Sequence, residues 1–164
     1  MPAACFASSP AGGLRLAPRR DSSSSTAKRM TGYSGTPLWK KLGYTTGTRA
    51  WVAGAPKYYA KILLLPADVK VTWLKAAERG LAFVHVFADQ AAALEKQLVA
   101  LRREIAPDGV VWVSWPKKAS GMPTDITEDT IRTLALPRGF VDIKVCAVDD
   151  TWSGLKLMIR KSER

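Results

Sequence analysis

The order of apolar and polar residues along the chain predicts strands that alternate with helices. Segments 57–65 and 90–105 repeat apolar residues at the three- and four-residue spacing of a helix. Strands that are apolar on both faces are typical of a mostly parallel sheet covered by helices. Four apolar runs are typical of such strands: 49–55, 69–74, 81–89 and 110–115.

The end of the chain predicts a hairpin. Two more apolar segments, 140–148 and 154–160, are joined by "DDTWS", which leaves no room for a helix. Strands joined so closely pair antiparallel, at or near an edge of the sheet. The predicted fold class is therefore α/β, with a mostly parallel Rossmann-like sheet, helices on both faces and a C-terminal antiparallel hairpin.

Helix ends are predicted from capping residues. Thr36 followed by Pro37 begins a short first helix, and Gly43 ends it. Asp89 precedes the long helix over 90–105 as its expected N-cap. Asp125 and Glu128 have the spacing of a capping box before the next helix.

Residues 1–29 differ from the rest of the chain. They are rich in Ala, Ser, Pro and Arg and show no periodicity, so we expect a disordered N-terminal extension before a single domain over 30–164. Two alternatives are a translation start at Met30 and a transit-like segment. No apolar run approaches the length of a membrane helix.

The charge of the chain favours an anionic partner. Its 164 residues have a formal net charge of +11, which raises the expectation of nucleic acid, an acidic surface or a phosphorylated ligand. The two cysteines, Cys5 and Cys146, show no paired spacing. That argues against a disulfide framework or a zinc site and fits a cytoplasmic protein.

The segments "IAPDGVVWVSWPKK" and "RGFVDIKVCAVDDTWSGLKLMIRK" carry a resemblance to class I S-adenosylmethionine-dependent methyltransferases. The resemblance implies a methyltransferase-like scaffold. Two of that family's cofactor contacts are absent here. The turn after the first strand has Gly54 alone instead of several glycines, and Leu74 and Lys75 stand where an acid would bind the ribose. One strand–helix unit is also absent between residues 74 and 81.

A second resemblance covers Met30 to the C-terminus. "GYSGTPLWKKLG", "VSWPKK", "TDITED" and "VDDTWSGLKLMIRK" together are similar to a bacterial family known only as a domain of unknown function. This resemblance implies a small cytoplasmic protein without an established activity.

The predicted ligand site follows the strand over 110–115. Ligands of open α/β sheets bind beyond the carboxyl ends of the strands, and a helix start nearby favours anions. Lys117 and Lys118 are therefore predicted to bind an anion, with hydrogen bonds from Ser120 and Thr124. The alternative is a solvated lysine pair on a loop. Three residues are predicted to line the pocket: Trp115, Trp152 and Ser153.

Catalytic and metal-binding residues are not predicted. His85, the one histidine, lies in the middle of a strand and is interpreted as a buried core residue. Without further histidines or clustered cysteines, a transition-metal site lacks ligands. Asp149 and Asp150 are interpreted as turn formers.

These observations predict a non-catalytic binding or regulatory module for an anionic small molecule or a protein partner. No cofactor is expected, and S-adenosylmethionine would have to bind without its usual motifs. One alternative is an atypical S-adenosylmethionine-dependent methyltransferase. A second is a nucleic-acid-binding protein, which is less favoured because Trp51, Trp73 and Trp112 fall inside predicted strands.

Overall fold

The computed structural model describes residues 35–164, so the predicted extension over 1–29 lies outside the described residues. Three short 3-10 turns accompany the helices and strands. In chain order, the helices and strands are α1 Leu38–Leu42, β1 Arg49–Ala53, α2 Tyr59–Leu63, β2 Thr72–Leu74, β3 Leu81–Phe87, α3 Ala91–Glu104, β4 Ile105–Pro116, α4 Glu128–Ala135, β5 Phe140–Ala147 and β6 Trp152–Ile159.

All six strands form one sheet in the order β2-β1-β3-β4-β6-β5. The first four are parallel, and β6 pairs antiparallel with both β4 and β5. The hairpin thus lies at the β5 edge of a mostly parallel sheet. Connection 75–80, between β2 and β3, contains no helix. The predicted fold class is confirmed.

Helices cover both faces of the sheet. On one face, α3 and α4 bury Leu94, Leu98 and Ile131 against the sheet. On the other face, α1 and α2 pack on a second apolar cluster that includes Phe83 and Trp112. The buried indole Nε1 of Trp112 donates to the carbonyl of Leu42 at 2.8 Å, which ties α1 to the centre of the sheet. Within residues 35–164, no helix has the length and apolar character needed to cross a membrane.

Helix α2 is shorter than the predicted segment 57–65. It ends at Leu63, and Leu64 takes a left-handed conformation with φ 54°. Pro66 limits the helix, because it drives the residue directly before it, Leu65, out of the helical region. Leu65 therefore cannot continue the helix. Strand β2 is also shorter than predicted, with three residues instead of six.

The predicted helix caps are partly wrong. Gln90 rather than Asp89 is the N-cap of α3, and its side chain makes no capping bond. Asp125, predicted to cap the following helix, accepts instead from the backbone N of Ala91 at 2.7 Å. The loop that carries Asp125 passes the N-terminus of α3, so its carboxylate bonds to α3 instead of to α4. Helix α4 has its capping box two residues later than predicted, between Thr127 and Thr130.

Candidate functional site

The carboxyl ends of the parallel strands meet the β5–β6 turn at one edge of the sheet. Pro116, the last residue of β4, pairs with Trp152, the first residue of β6. The next residue, Lys117, donates its backbone N to the carbonyl of Thr151 at 2.7 Å. Its Nζ donates to the carbonyl of Asp149 at 2.7 Å. The structure thus brings the predicted basic loop and the tryptophan turn together.

Asp149 shapes the turn that Lys117 contacts. Its Oδ1 accepts from the backbone N of Thr151 at 2.8 Å and from that of Trp152 at 2.7 Å. An aspartate that accepts from backbone two and three residues later is a turn former. Its interpretation as a turn former is confirmed for Asp149, and the bonds hold Trp152 in place beside the ends of the strands.

The side chain of Tyr58 was missed by the sequence analysis. It lies just before α2, is 38% exposed, and its hydroxyl accepts from Trp152 Nε1 at 3.2 Å. Partial burial, followed by the negative charge of Asp149, raises the pKa of Tyr58. Phe87 completes the group, because its ring centroid lies 5.0 Å from that of Trp152 in an edge-on arrangement. We call Tyr58, Phe87, Lys117, Asp149 and Trp152 the strand-edge cluster.

Two predicted ligand donors hold the basic loop in shape. The Ser120 hydroxyl donates to the carbonyl of Lys117 at 2.6 Å, and it accepts from the backbone N of Met122 at 3.3 Å. The Thr124 hydroxyl donates to the carbonyl of Asp89 at 2.9 Å. Lys118 is exposed in the short 3-10 turn that follows β4.

The three predicted pocket-lining residues do not share one wall. Trp115 is buried in the core beneath α3 and α4, whereas Trp152 packs in the cluster on the opposite face. Ser153 pairs with Trp115 across the strands and is half-buried. Of the three, only Trp152 belongs to the strand-edge cluster.

A buried chain of hydrogen bonds runs beneath α2. The Tyr59 hydroxyl lies 2.8 Å from the Tyr44 hydroxyl and 2.9 Å from Nδ1 of His85. Nε2 of His85 lies 2.7 Å from the Ser114 hydroxyl. His85 and Ser114 are both 0% exposed, so no substrate can reach this pair. Burial lowers the pKa of His85 to about 3 and raises those of Tyr44 and Tyr59. The interpretation of His85 as a satisfied core residue is confirmed.

An apolar pocket of about 480 Å³ opens between α2 and the outer strands β1 and β2. No carboxylate, amide or charged side chain contributes to its wall. The residues that line it are Val52, Ala55, Tyr59, Ala60, Leu63, Leu65 and Trp73. It lies apart from the predicted basic loop, none of whose residues reaches it. Within residues 35–164, no three His, Cys, Asp or Glu side chains are grouped as a metal ion would require.

The residues at the ends of β1 and β2 do not fit the usual contacts with S-adenosylmethionine. Gly54 has φ 70°, and a Cβ added there would lie 2.7 Å from the carbonyl oxygen of Phe87. This glycine therefore lets the ends of β1 and β3 approach each other, where the family uses glycines to approach the cofactor. At the end of β2, Leu74 packs against the core and Lys75 is exposed. A ribose-binding carboxylate is thus absent from that place.

No protein-family model matches the chain, and no curated protein matches it. Several solved structures have a similar fold. An S-adenosylmethionine-dependent methyltransferase from Aquifex aeolicus has a TM-score of 0.53 at 16% identity, covering 86% of this chain and 100% of that one. A protein from Sulfolobus solfataricus, provisionally described as a type 11 methyltransferase, has a TM-score of 0.53 at 17% identity, with 76% and 90% covered. LepI, in a complex with S-adenosylmethionine, has a TM-score of 0.50 at 10% identity, with 76% and 47% covered.

These comparisons bear on the two predicted resemblances differently. At identities of 10–17% the likeness is one of fold, and it confirms the methyltransferase-like scaffold. The resemblance to a bacterial family of unknown function stays a prediction, because no family model matches.

Proposed function

We propose that this chain is a small-molecule-binding domain on a methyltransferase scaffold, with its ligand at the strand-edge cluster. The observation that carries the proposal is the meeting of Lys117, Asp149 and Trp152 where the parallel strands end. Open α/β sheets bind their ligands at that edge. The hydrogen bonds through Asp149 fix the turn before any ligand arrives, which lowers the entropy cost of binding.

The side chains of the site suggest a ligand that joins a planar ring to an anionic group. The exposed ring of Tyr58, backed by the buried Trp152 to which it is hydrogen-bonded, suits a planar group. The ammonium groups of Lys117 and Lys118 suit an anion. In this proposal Ser120 and Thr124 position the loop, because their hydroxyls already bond to backbone carbonyls. Nucleotides belong to this ligand class, and so does S-adenosylmethionine, through its adenine and its carboxylate.

A second candidate function is an atypical S-adenosylmethionine-dependent methyltransferase. The folds of the structural neighbours favour it over a purely non-catalytic module. The absent ribose acid at Leu74 and the packed Gly54 count against the usual contacts. A methyltransferase of this kind would have to hold its cofactor through the strand-edge cluster.

Thermal unfolding with four probes tests the proposal: S-adenosylmethionine, S-adenosylhomocysteine, AMP and uncharged adenosine. We expect the three charged probes to stabilise the protein, by about 2.7 kcal/mol at a hundredfold excess over Kd, and adenosine to do so less. Lys118→Ala should weaken binding of the charged probes, and the double variant Lys117→Ala with Lys118→Ala should weaken it further. Lys96→Ala, which removes the same charge from an exposed position of α3, should leave the affinity for all four probes unchanged.

The outcomes separate the alternatives. A preference for S-adenosylmethionine over AMP would favour the methyltransferase, and similar affinities would favour a binding module. If none of the four probes stabilises the protein, the proposed ligand class is wrong. If the double lysine variant responds like the wild type, the ligand binds elsewhere.

A further inference from the structure

We infer that the apolar pocket beneath α2 is a second binding site, for a small amphiphile with an apolar body and an anionic head. The pocket volume of about 480 Å³ lies within the range of small-molecule sites. Its wall comes from α2, from the end of β1 and from β2, the outermost parallel strand. It shares no residue with the strand-edge cluster.

The interior of the pocket excludes charge. Its one hydroxyl is that of Tyr59, which already bonds to Tyr44 and to His85, and Trp73 adds only an indole N–H. A charged group placed in the pocket would lose its hydration and gain no charged partner, which is costly. The part of the ligand that enters must therefore be apolar.

One residue of the pocket wall and one residue of the adjoining segment are large, apolar and exposed. Trp73, on the three-residue edge strand, is 47% exposed. Leu64 follows α2, is 60% exposed and has the left-handed φ of 54°, the one positive φ of a non-glycine residue within 35–164. Such a conformation is unfavourable for leucine and is a reason to look for a function nearby. An apolar ligand in the pocket would cover part of the exposed ring of Trp73.

The segments that build the pocket carry a strongly positive charge. Residues 55–75 contain four lysines and one acidic residue, Asp68. The lysines are all exposed and form no ion pair with any residue in 35–164; they are Lys57, Lys61, Lys70 and Lys75. Charge of this sign suits an anionic head outside the pocket. It also disfavours a second copy of the chain as the occupant, because lysines would then face lysines.

Isothermal titration with decanoate, below its micelle concentration, tests the inference, with the uncharged 1-decanol as the matched probe. We expect decanoate to bind at least severalfold more tightly than decanol. Ala60→Trp and Ala55→Phe, which fill the pocket from two different segments, should each abolish binding of both probes. Both positions are exposed, and an unchanged melting temperature would show that each variant is folded.

Charge variants separate the head from the body of the ligand. The double variant Lys61→Gln with Lys75→Gln should weaken decanoate binding severalfold and leave decanol binding unchanged. Lys96→Gln should change the affinity for neither probe. Lys117→Ala with Lys118→Ala should bind decanoate normally, so that this test stands apart from that of the strand-edge cluster.

Three results of the titrations would overturn the inference. They are the absence of decanoate binding, decanoate binding that survives both pocket-filling variants, and equal affinity for decanoate and decanol. Sedimentation, which measures the oligomeric state, tests the other possible occupant, a second copy of the chain. If the wild type is a dimer that Ala60→Trp makes monomeric, a second copy fills the pocket and the inference is wrong.

Discussion

Acid should weaken the fold through protonation of His85. The unfolded chain binds a proton at the ordinary histidine pKa near 6.5, whereas burial in the folded protein lowers the pKa of His85 to about 3. Between these values the unfolded state binds more protons, so stability is fully present above pH 6.5 and falls as the pH drops toward 3. From pH 7 to pH 4.5 this linkage amounts to about 2.5 kcal/mol of unfolding free energy.

The structural cause of this linkage is the surroundings of the ring. His85 packs against Phe87, with ring centroids 4.3 Å apart, and its two nitrogens face the hydroxyls of Tyr59 and Ser114. A neutral imidazole with one donor and one acceptor satisfies both contacts. A proton added to the ring would place an unpaired charge in the core.

Two measurements check the prediction. Because His85 is the one histidine of the chain, its imidazole signal in a proton NMR spectrum reports the native pKa directly. We expect no titration between pH 8 and pH 4.5. Urea unfolding over the same range should show the wild type losing about 2.5 kcal/mol more than His85→Gln. A native midpoint near pH 6.5, or equal losses in the two proteins, would refute the reasoning.

Two substitutions test the backbone. Gly54→Ala should cost at least about 2 kcal/mol of unfolding free energy in urea, because the new Cβ meets the Phe87 carbonyl at 2.7 Å. Gly47→Ala is the control for the positive φ alone, since Gly47 has φ 92° and no atom within 4 Å of the added Cβ. An equal cost in the two variants would contradict an effect of the close approach. Thr127→Ala should remove the capping box of α4 and cost about 1 kcal/mol. Thr133→Ala in the same helix, whose hydroxyl donates to the Asp129 carbonyl, is its control, and an equal loss would show that the cap contributes nothing special.

The strand pattern of the sequence was enough to predict the architecture. Segments such as 81–89 and 110–115 are apolar on both faces because their residues are buried under helices on both sides. Ends of elements were harder to predict. Asp125 was assigned to its nearest helix, yet it caps α3 from a loop 34 residues away. A capping residue supplied by another part of the chain leaves no local pattern.

Which residues meet at the ends of the strands could be predicted only in part, because contacts between distant parts of the chain leave no local pattern. Lys117 and Trp152 follow strand ends, and the parallel topology brings such residues to one edge. Tyr58 is separated from Trp152 by 94 residues, so only the sheet order reveals that they touch. Trp115 was placed in the pocket from its position in the sequence, although the alternation of a strand turns its side chain toward the opposite face from Trp152.

The connection between β2 and β3 explains why the apolar pocket is uncovered. Six residues, 75–80, link the two strands, and they can span at most about 20 Å. The chain must cross two strand spacings, about 10 Å, because β1 lies between β2 and β3, and it must also return along the length of β2. Each residue added at the C-terminal end of β2 would lengthen that return by about 3.3 Å, which limits how far the strand extends beyond Leu74. A connection of this length holds no helix. The outer flank of α2 therefore stays uncovered beside Trp73, where the pocket opens.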